Sequence, residues 1–303
     1  MMATSIFVTQ SVINGQHKIF EKKLGEHNQY LHLNIKSFIE QHQAAIESSA
    51  DMLSQLNSND SNAINKVLAD KHSQHSNFRT MFIANANGNI TSSHPSRFLA
   101  ETSKPINVAF RTYFKQSIAR PETFVSQPLA GKGFGEDAIV SISKSFAFQD
   151  QSNNLNVVQG SINLHKFSAM LPENLKSEIS YVITGRNKQI IYASKVLDLK
   201  ELDSFQYQQK KDLTFENTGL VQLLYPQTEQ KQTAEQMQLV DKNYFLSQSS
   251  LPNDWQLYVL LESNKVISVV EREYLLIFNL LFLAFLITIS LADRIAKQIT
   301  KPM

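Results

Sequence analysis

In the stretch FRTYFKQSI, Phe110 to Ile118, one guanidinium sits among three aromatic rings within five residues. The planar fork of Arg111 offers paired N–H donors that match a carboxylate. Phe110, Tyr113 and Phe114 can wall a small organic molecule beside it. The same residue types also describe an arginine on a helix surface next to ordinary core aromatics, and the residues taken alone favour that second description.

Other chemistry finds less support. GKGFGE, Gly131 to Glu136, has three glycines but lacks the closing Lys-Ser or Lys-Thr of a phosphate loop, so it reads as a plain loop. His27 and His42 are fifteen residues apart, too far for joint ligation, and read as packing residues. His72 and His75 can share a helix face, but no third ligand is evident, so no metal site is expected. The absence of cysteine excludes disulfides, thiolate catalysis and zinc-thiolate sites. There is no nucleophile elbow, paired-carboxylate signature or cofactor motif, so the chain is not expected to be an enzyme or to carry a cofactor. A net charge of +2 without a basic stripe argues against a nucleic-acid partner.

The elements that must position Arg111 follow from periodicity. From His17 to Leu56 there is no proline, and Phe20, Leu24, His27, Leu31, Ile35, Phe38, His42 and Ala45 recur at steps of three and four. That spacing predicts a stalk helix roughly 60 Å long with one apolar stripe, ended by LNSNDSN. FRTMFIANANGNITSSHP then predicts strand, Asn-Gly turn and strand, and YVITGRNKQIIYAS repeats that shape a hundred residues later. Paired strands follow each copy: DAIVSISKSFAF with NVVQGSINL, and NYFLSQSSL with DWQLYVLLE. A helix is expected over PINVAFRTYFKQSIA, and loops with short helices over the Gln-rich Val196 to Gln236.

From Ser263, a plausible N-cap, a helix is expected to run on into Tyr274 to Ala292, nineteen residues with only Asn279, Thr288 and Ser290 polar. This is the pattern of a membrane span, and a buried core helix is the alternative. Arg294, Lys297 and Lys301 beyond it place the C-terminus in the cytoplasm and residues before about 270 outside. MMATSIFVTQSVI is too short to span and is expected to be the tail of a first transmembrane helix.

Stalk, repeated lobes and helical exit together resemble the double Cache family of extracytoplasmic sensor domains over about residues 17 to 270. FRTYFKQSI is similar to its Arg-x-aromatic signature, and VVQGSINLHKF to the strand closing its membrane-distal lobe. ADRIAKQITKPM resembles the first helix of a HAMP linker, so the signalling half is expected to begin where the chain stops. The resemblance implies an α+β fold: a long N-terminal helix, two tandem PAS-like antiparallel-sheet lobes and a C-terminal transmembrane helix. The expected division is 1–16 remnant of a first span, 17–75 stalk and connection, 76–168 distal lobe, 169–262 proximal lobe, 263–292 juxtamembrane and transmembrane helix, and 293–303 HAMP start.

The resemblance also implies function: the small-molecule sensing input of a bacterial transmembrane receptor in the cell membrane, with the bulk of the chain periplasmic or extracellular. The receptor is expected to be homodimeric through the stalk, and the alternative is a membrane-anchored binding or structural protein without signalling output. The ligand is expected in the distal lobe, held by Arg111, Tyr113, Phe114, Phe124 and Ser161. In amino-acid-binding members an aspartate on the closing strand holds the ligand's ammonium; here that position is Ser161, and Phe124 stands where a tyrosine is frequent. A carboxylate without an amine is therefore the expected ligand.

Overall fold

The computed structural model describes residues 2–96, 106–131, 137–214, 219–226 and 237–299, with side chains described for 18–96, 106–131, 137–209, 220–224, 242–264 and scattered residues of 272–294. Helix α1 runs unbroken over Met2–Ser54, 53 residues and about 80 Å. Its buried face includes Leu24, Leu31, Ile35, Phe38, His42 and Ala45, the stripe that the spacing predicts. That stripe covers the chain's own sheets. Ile19, Tyr30 and Leu33 remain exposed elsewhere on the helix. After α1, the carboxylate of Asp60 accepts a hydrogen bond from the Ala63 amide at 3.0 Å and caps α2, Ser61–Gln74.

Two antiparallel sheets follow. The first contains β1 (Phe78–Ala84), β2 (Ile90–His94), β3 (Phe124–Val125), β4 (Leu129–Ala130), β5 (Ala138–Phe146) and β6 (Asn156–Asn163), in the order β2-β1-β6-β5-β3 with β4 also on β5. The second contains β7 (Ser180–Thr184), β8 (Ile190–Ala193), β9 (Gln206–Thr214), β10 (Gly219–Pro226), β11 (Met237–Leu251) and β12 (Trp255–Glu262), in the order β8-β7-β12-β11-β10-β9. The shared order β2-β1-β6-β5 and β8-β7-β12-β11 is the structural form of the sequence repeat.

The repeat extends to single hydrogen bonds. The Asn85 amide donates to the Asn89 carbonyl at 2.9 Å, and the Gly185 amide to the Gln189 carbonyl at 2.8 Å. Gly88 and Lys188 take the same left-handed conformation in these turns, with φ of 78° and 59°. Gly88 is required there, because a Cβ would lie 2.5 Å from the Ala109 nitrogen.

Three expectations need correction. The loops and short helices expected from Val196 to Gln236 hold as far as Phe205, with a 3₁₀ turn, Lys195–Leu197, but beyond it the chain forms strands β9 and β10, while 215–218 and 227–236 lie outside the described residues. Leu220, Val221 and Leu223 bury there, and the Gln-rich partner strand is fixed by pairing more than by its own propensity. Within PINVAFRTYFKQSIA only Thr112–Ala119 is helical; this is α3. Asn107 instead ties the preceding segment to the first turn, its amide donating to the Asn87 carbonyl and the Asn89 side chain at 2.8 Å each.

The third concerns the span. Helix α4, Ser263–Ile299, follows β12 directly. Among the described residues no helix is long and apolar enough to cross a membrane, so the span expected over Tyr274 to Ala292 is not shown. The side chains of Tyr274, Ile277 and Leu281 lie outside the described residues, as do those of 1–17, expected as a first-span remnant, and residues 300–303 at the HAMP end.

One apolar cluster unites the molecule. It joins Ile35, Ile46 and Leu53 of α1 with Ile83 and Ile142 of the first sheet and Ile183 and Val259 of the second. A separate cluster lies on the other face of the first sheet, where Phe82 and Val157 meet Tyr113 and Phe114 of α3.

Gly160 on β6 faces the α1 side, where a Cβ would fall 2.4 Å from a ring carbon of Phe78. Phe78 is itself buried, so its ring has little room to yield. Gly160→Ala should destabilise the chain by about 1–3 kcal/mol in urea denaturation, and a neutral result would show that the ring moves freely.

His42, 2% exposed, places its ring 4.3 Å from that of Phe38 and 4.9 Å from that of Phe78. Its Nδ1–H donates to the Phe38 carbonyl at 2.6 Å, while Nε2 is buried with no partner among the described residues. Burial lowers its pKa below 6.5, opposed by the Phe38 hydrogen bond and helped by the charge of His75. The unfolded chain therefore binds the proton more readily. The stability from a neutral His42 is complete above pH 6.5 and falls as the pH drops from there toward the folded value, by at most about 1.4 kcal/mol per pH unit. His27, His75 and His94 are lowered in the same direction, chiefly by burial. Melting temperatures of the wild type and His42→Gln should converge on acidification; parallel curves would exclude His42 from the acid sensitivity.

Candidate functional site

Arg111 is the residue from which α3 starts. It has extended backbone, φ −72° and ψ 140°, at the N-cap position, and its side chain forms no cap. Its amide donates to the Val108 carbonyl at 2.9 Å, fixing a tight turn before the helix. The half-buried guanidinium therefore reaches away from the helix toward β4, where Nη1 and Nη2 lie 3.4 and 3.5 Å from the Ala130 carbonyl. These contacts are long for hydrogen bonds and leave the fork largely uncommitted. The Arg111 Cζ also lies 5.2 Å from the centre of the Phe110 ring, which is 59% exposed.

Arg111, Tyr113 and Ser161 line one cavity between α3, the β4 turn and the outer face of the first sheet. It has only about 30 Å³ of room for water-sized molecules, against about 420 Å³ of empty space with its open mouth counted, so it is nearly closed in this structure. Tyr113 is buried, and burial pushes its phenol up to about 12 against the opposing pull of Arg111, so the phenol stays protonated. Phe114 and Phe124 do not line the cavity. On α3, Tyr113, Phe114 and Ser117 form the buried face, and Phe114 turns into the apolar cluster against which Phe124 also packs. Ser117 donates to Ser143 at 2.8 Å, fixing the helix on β5.

The sheet floor is polar. Ser161 on β6 pairs in register with Thr80 on β1 and Ser141 on β5. Gln159 Nε2 donates to both Ser141 Oγ and Ser161 Oγ at 2.8 Å. Its Oε1 and the hydroxyl of Thr80, a residue that lines the cavity, are buried without hydrogen-bond partners among the described residues.

Sequence reading missed a charged pair in the same cavity. Arg79 forms an ion pair with Asp137, which also accepts from Asn163 Nδ2 at 3.3 Å. The signal was faint. Arg79 lies one residue inside β1 at an irregularity between Phe78 and Thr80, which breaks the alternation that would have revealed its direction. Gly131 of GKGFGE also lines the cavity, while residues 132–136 lie outside the described residues.

A larger hollow, about 780 Å³ of empty space, opens beside Tyr181 and Tyr192, with exposed His165, Lys176 and Lys195 among its lining residues. It has no buried unpaired polar group aimed into it among the described residues, which makes it the weaker candidate. Elsewhere the histidines meet as rings, His72 with His94 at 4.9 Å and His42 with His75 at 6.0 Å.

No family model matches the chain, and no curated protein is similar to it in sequence. Solved structures share its fold. The ligand-binding domain of the Pseudomonas aeruginosa PAO1 amino acid chemoreceptor PctC, in complex with GABA, aligns with a TM-score of 0.57 at 20% identity, over 80% of this chain and 99% of that one. The ligand-binding domain of Mlp24 with asparagine gives 0.60 at 15%, over 86% and 99%. That of the Pseudomonas fluorescens chemoreceptor CtaA in complex with L-alanine gives 0.57 at 16%, over 80% and 97%. The helix-plus-two-sheet architecture is thus that of chemoreceptor ligand-binding domains.

Proposed function

We propose that this chain is the small-molecule sensing input of a transmembrane signalling receptor and that it binds a small carboxylate through Arg111. The observation that carries this reading is an uncommitted guanidinium over a cavity with a polar floor, in a fold shared with domains solved with GABA, asparagine and L-alanine. Arg111 takes the carboxylate, Tyr113 supplies a neutral phenol, and Ser161 supplies a hydroxyl. Phe114 and Phe124 set the position of α3 from behind.

A route for the signal runs from β6. That strand passes into a 3₁₀ segment, Leu164–Met170, whose Phe167 packs edge-on against Phe38 of α1 at 5.4 Å and Trp255 of β12 at 6.0 Å. β12 continues without a loop into α4. Closure of α3 on a ligand would shift β6, and through Phe167 both the stalk and the outgoing helix. Leu275, Phe278, Phe282, Phe285 and Ile289 of α4 are exposed, which supports a bilayer around it with the sheets on the outer side and the basic end inside.

Isothermal titration of the full chain in mild detergent against small organic acids should find a ligand whose affinity falls about tenfold to a hundredfold in Arg111→Ala. Unchanged affinity would remove Arg111 from the site. The proposed dimer uses the exposed α1 residues Tyr30 and Leu33. Since the chain has no cysteine, Leu33→Cys should crosslink two copies while the buried-face Ile35→Cys does not. Absence of crosslinks at both positions would exclude pairing there.

A further inference from the structure

The charges and hydroxyls of the Arg111 cavity also define a ligand class, on the assumption that the carboxylate reading above is correct. Among the described lining residues, Arg79 and Arg111 stand against one carboxylate, Asp137, a net charge of +1. Asp137 is already engaged by Arg79 and Asn163. A single carboxylate on the ligand neutralises this lining. A zwitterion leaves the charge at +1 and brings an ammonium beside guanidiniums with no uncommitted acid among the described lining residues.

The floor asks for a neutral polar partner. Thr80, 1% exposed, presents a hydroxyl with no partner among the described residues, next to its register partner Ser161. A buried hydroxyl left unpaired is costly, and a ligand group that can donate or accept relieves it. Phe82, Val108, Leu129 and Ile139 supply apolar wall for a short carbon skeleton.

We propose that the ligand is a small monocarboxylate bearing a neutral hydrogen-bonding group, a hydroxy or oxo acid, and not an α-amino acid. The carboxylate sits on Arg111 and the hydroxyl or oxo group on Thr80 and Ser161.

The test is calorimetric titration of the full chain in detergent with propionate, lactate, pyruvate and L-alanine, and with pentanoate and its 2-hydroxy, 2-oxo and 2-amino derivatives. On the skeleton that fits, the hydroxy or oxo acid should bind at least about tenfold tighter than the unsubstituted acid, with the amino acid weakest. Thr80→Val, which keeps the shape, should erase the advantage over the unsubstituted acid. Ser161→Asp, which brings the lining to neutral, should reverse the order in favour of the amino acid. An amino acid binding tightest to the wild type, or Arg111-dependent binding of acids with no preference for the substituent, overturns this inference and leaves the carboxylate reading standing. If no acid binds at all, both fall.

Discussion

Both sheets depend on the buried face of α1. An antiparallel sheet with one apolar face needs a cover, and here one helix of about 80 Å covers two sheets in succession. Leu31, Ile35, Ile46 and Leu53 are each fully buried there, and removing one such side chain ordinarily costs about 2–5 kcal/mol. The arrangement leaves the opposite face of the first sheet free for a small helix and a cavity.

Strand β6 is where these two faces meet. Val158 and Ile162 point into the α1 cluster, while Gln159 and Ser161 point to the cavity side, so one strand carries both the spine contacts and the polar floor. The Arg111 guanidinium makes only long contacts at the cavity, and on the cavity side of the sheet the Thr80 hydroxyl and the Gln159 amide oxygen are buried without hydrogen-bond partners among the described residues.

Much of this was legible in the residues. The α1 stripe was set by steps of three and four, and the paired hairpins by the Asn-Gly turn and its counterpart at Asn187 and Lys188. FRTYFKQSI marked Arg111 and Tyr113, and both line the cavity. Three things were not legible. Phe114 follows Tyr113 directly, and whether it faces cavity or core depends on how α3 is seated by Ser117. Arg79 turns into the cavity through a strand irregularity that composition does not encode. Strand β9 looks polar because pairing with β10, more than its own burial, specifies it.

The central claim is that ligand enters between α3 and the outer face of the first sheet. Hydrogen–deuterium exchange of the full chain, with and without a saturating acid that binds, tests it most directly. The account predicts slowed exchange in residues 108–114, 129–131 and β6, with a smaller change reaching the Leu164–Met170 segment. Protection confined to the second sheet, or to the hollow beside Tyr181 and Tyr192, would contradict it.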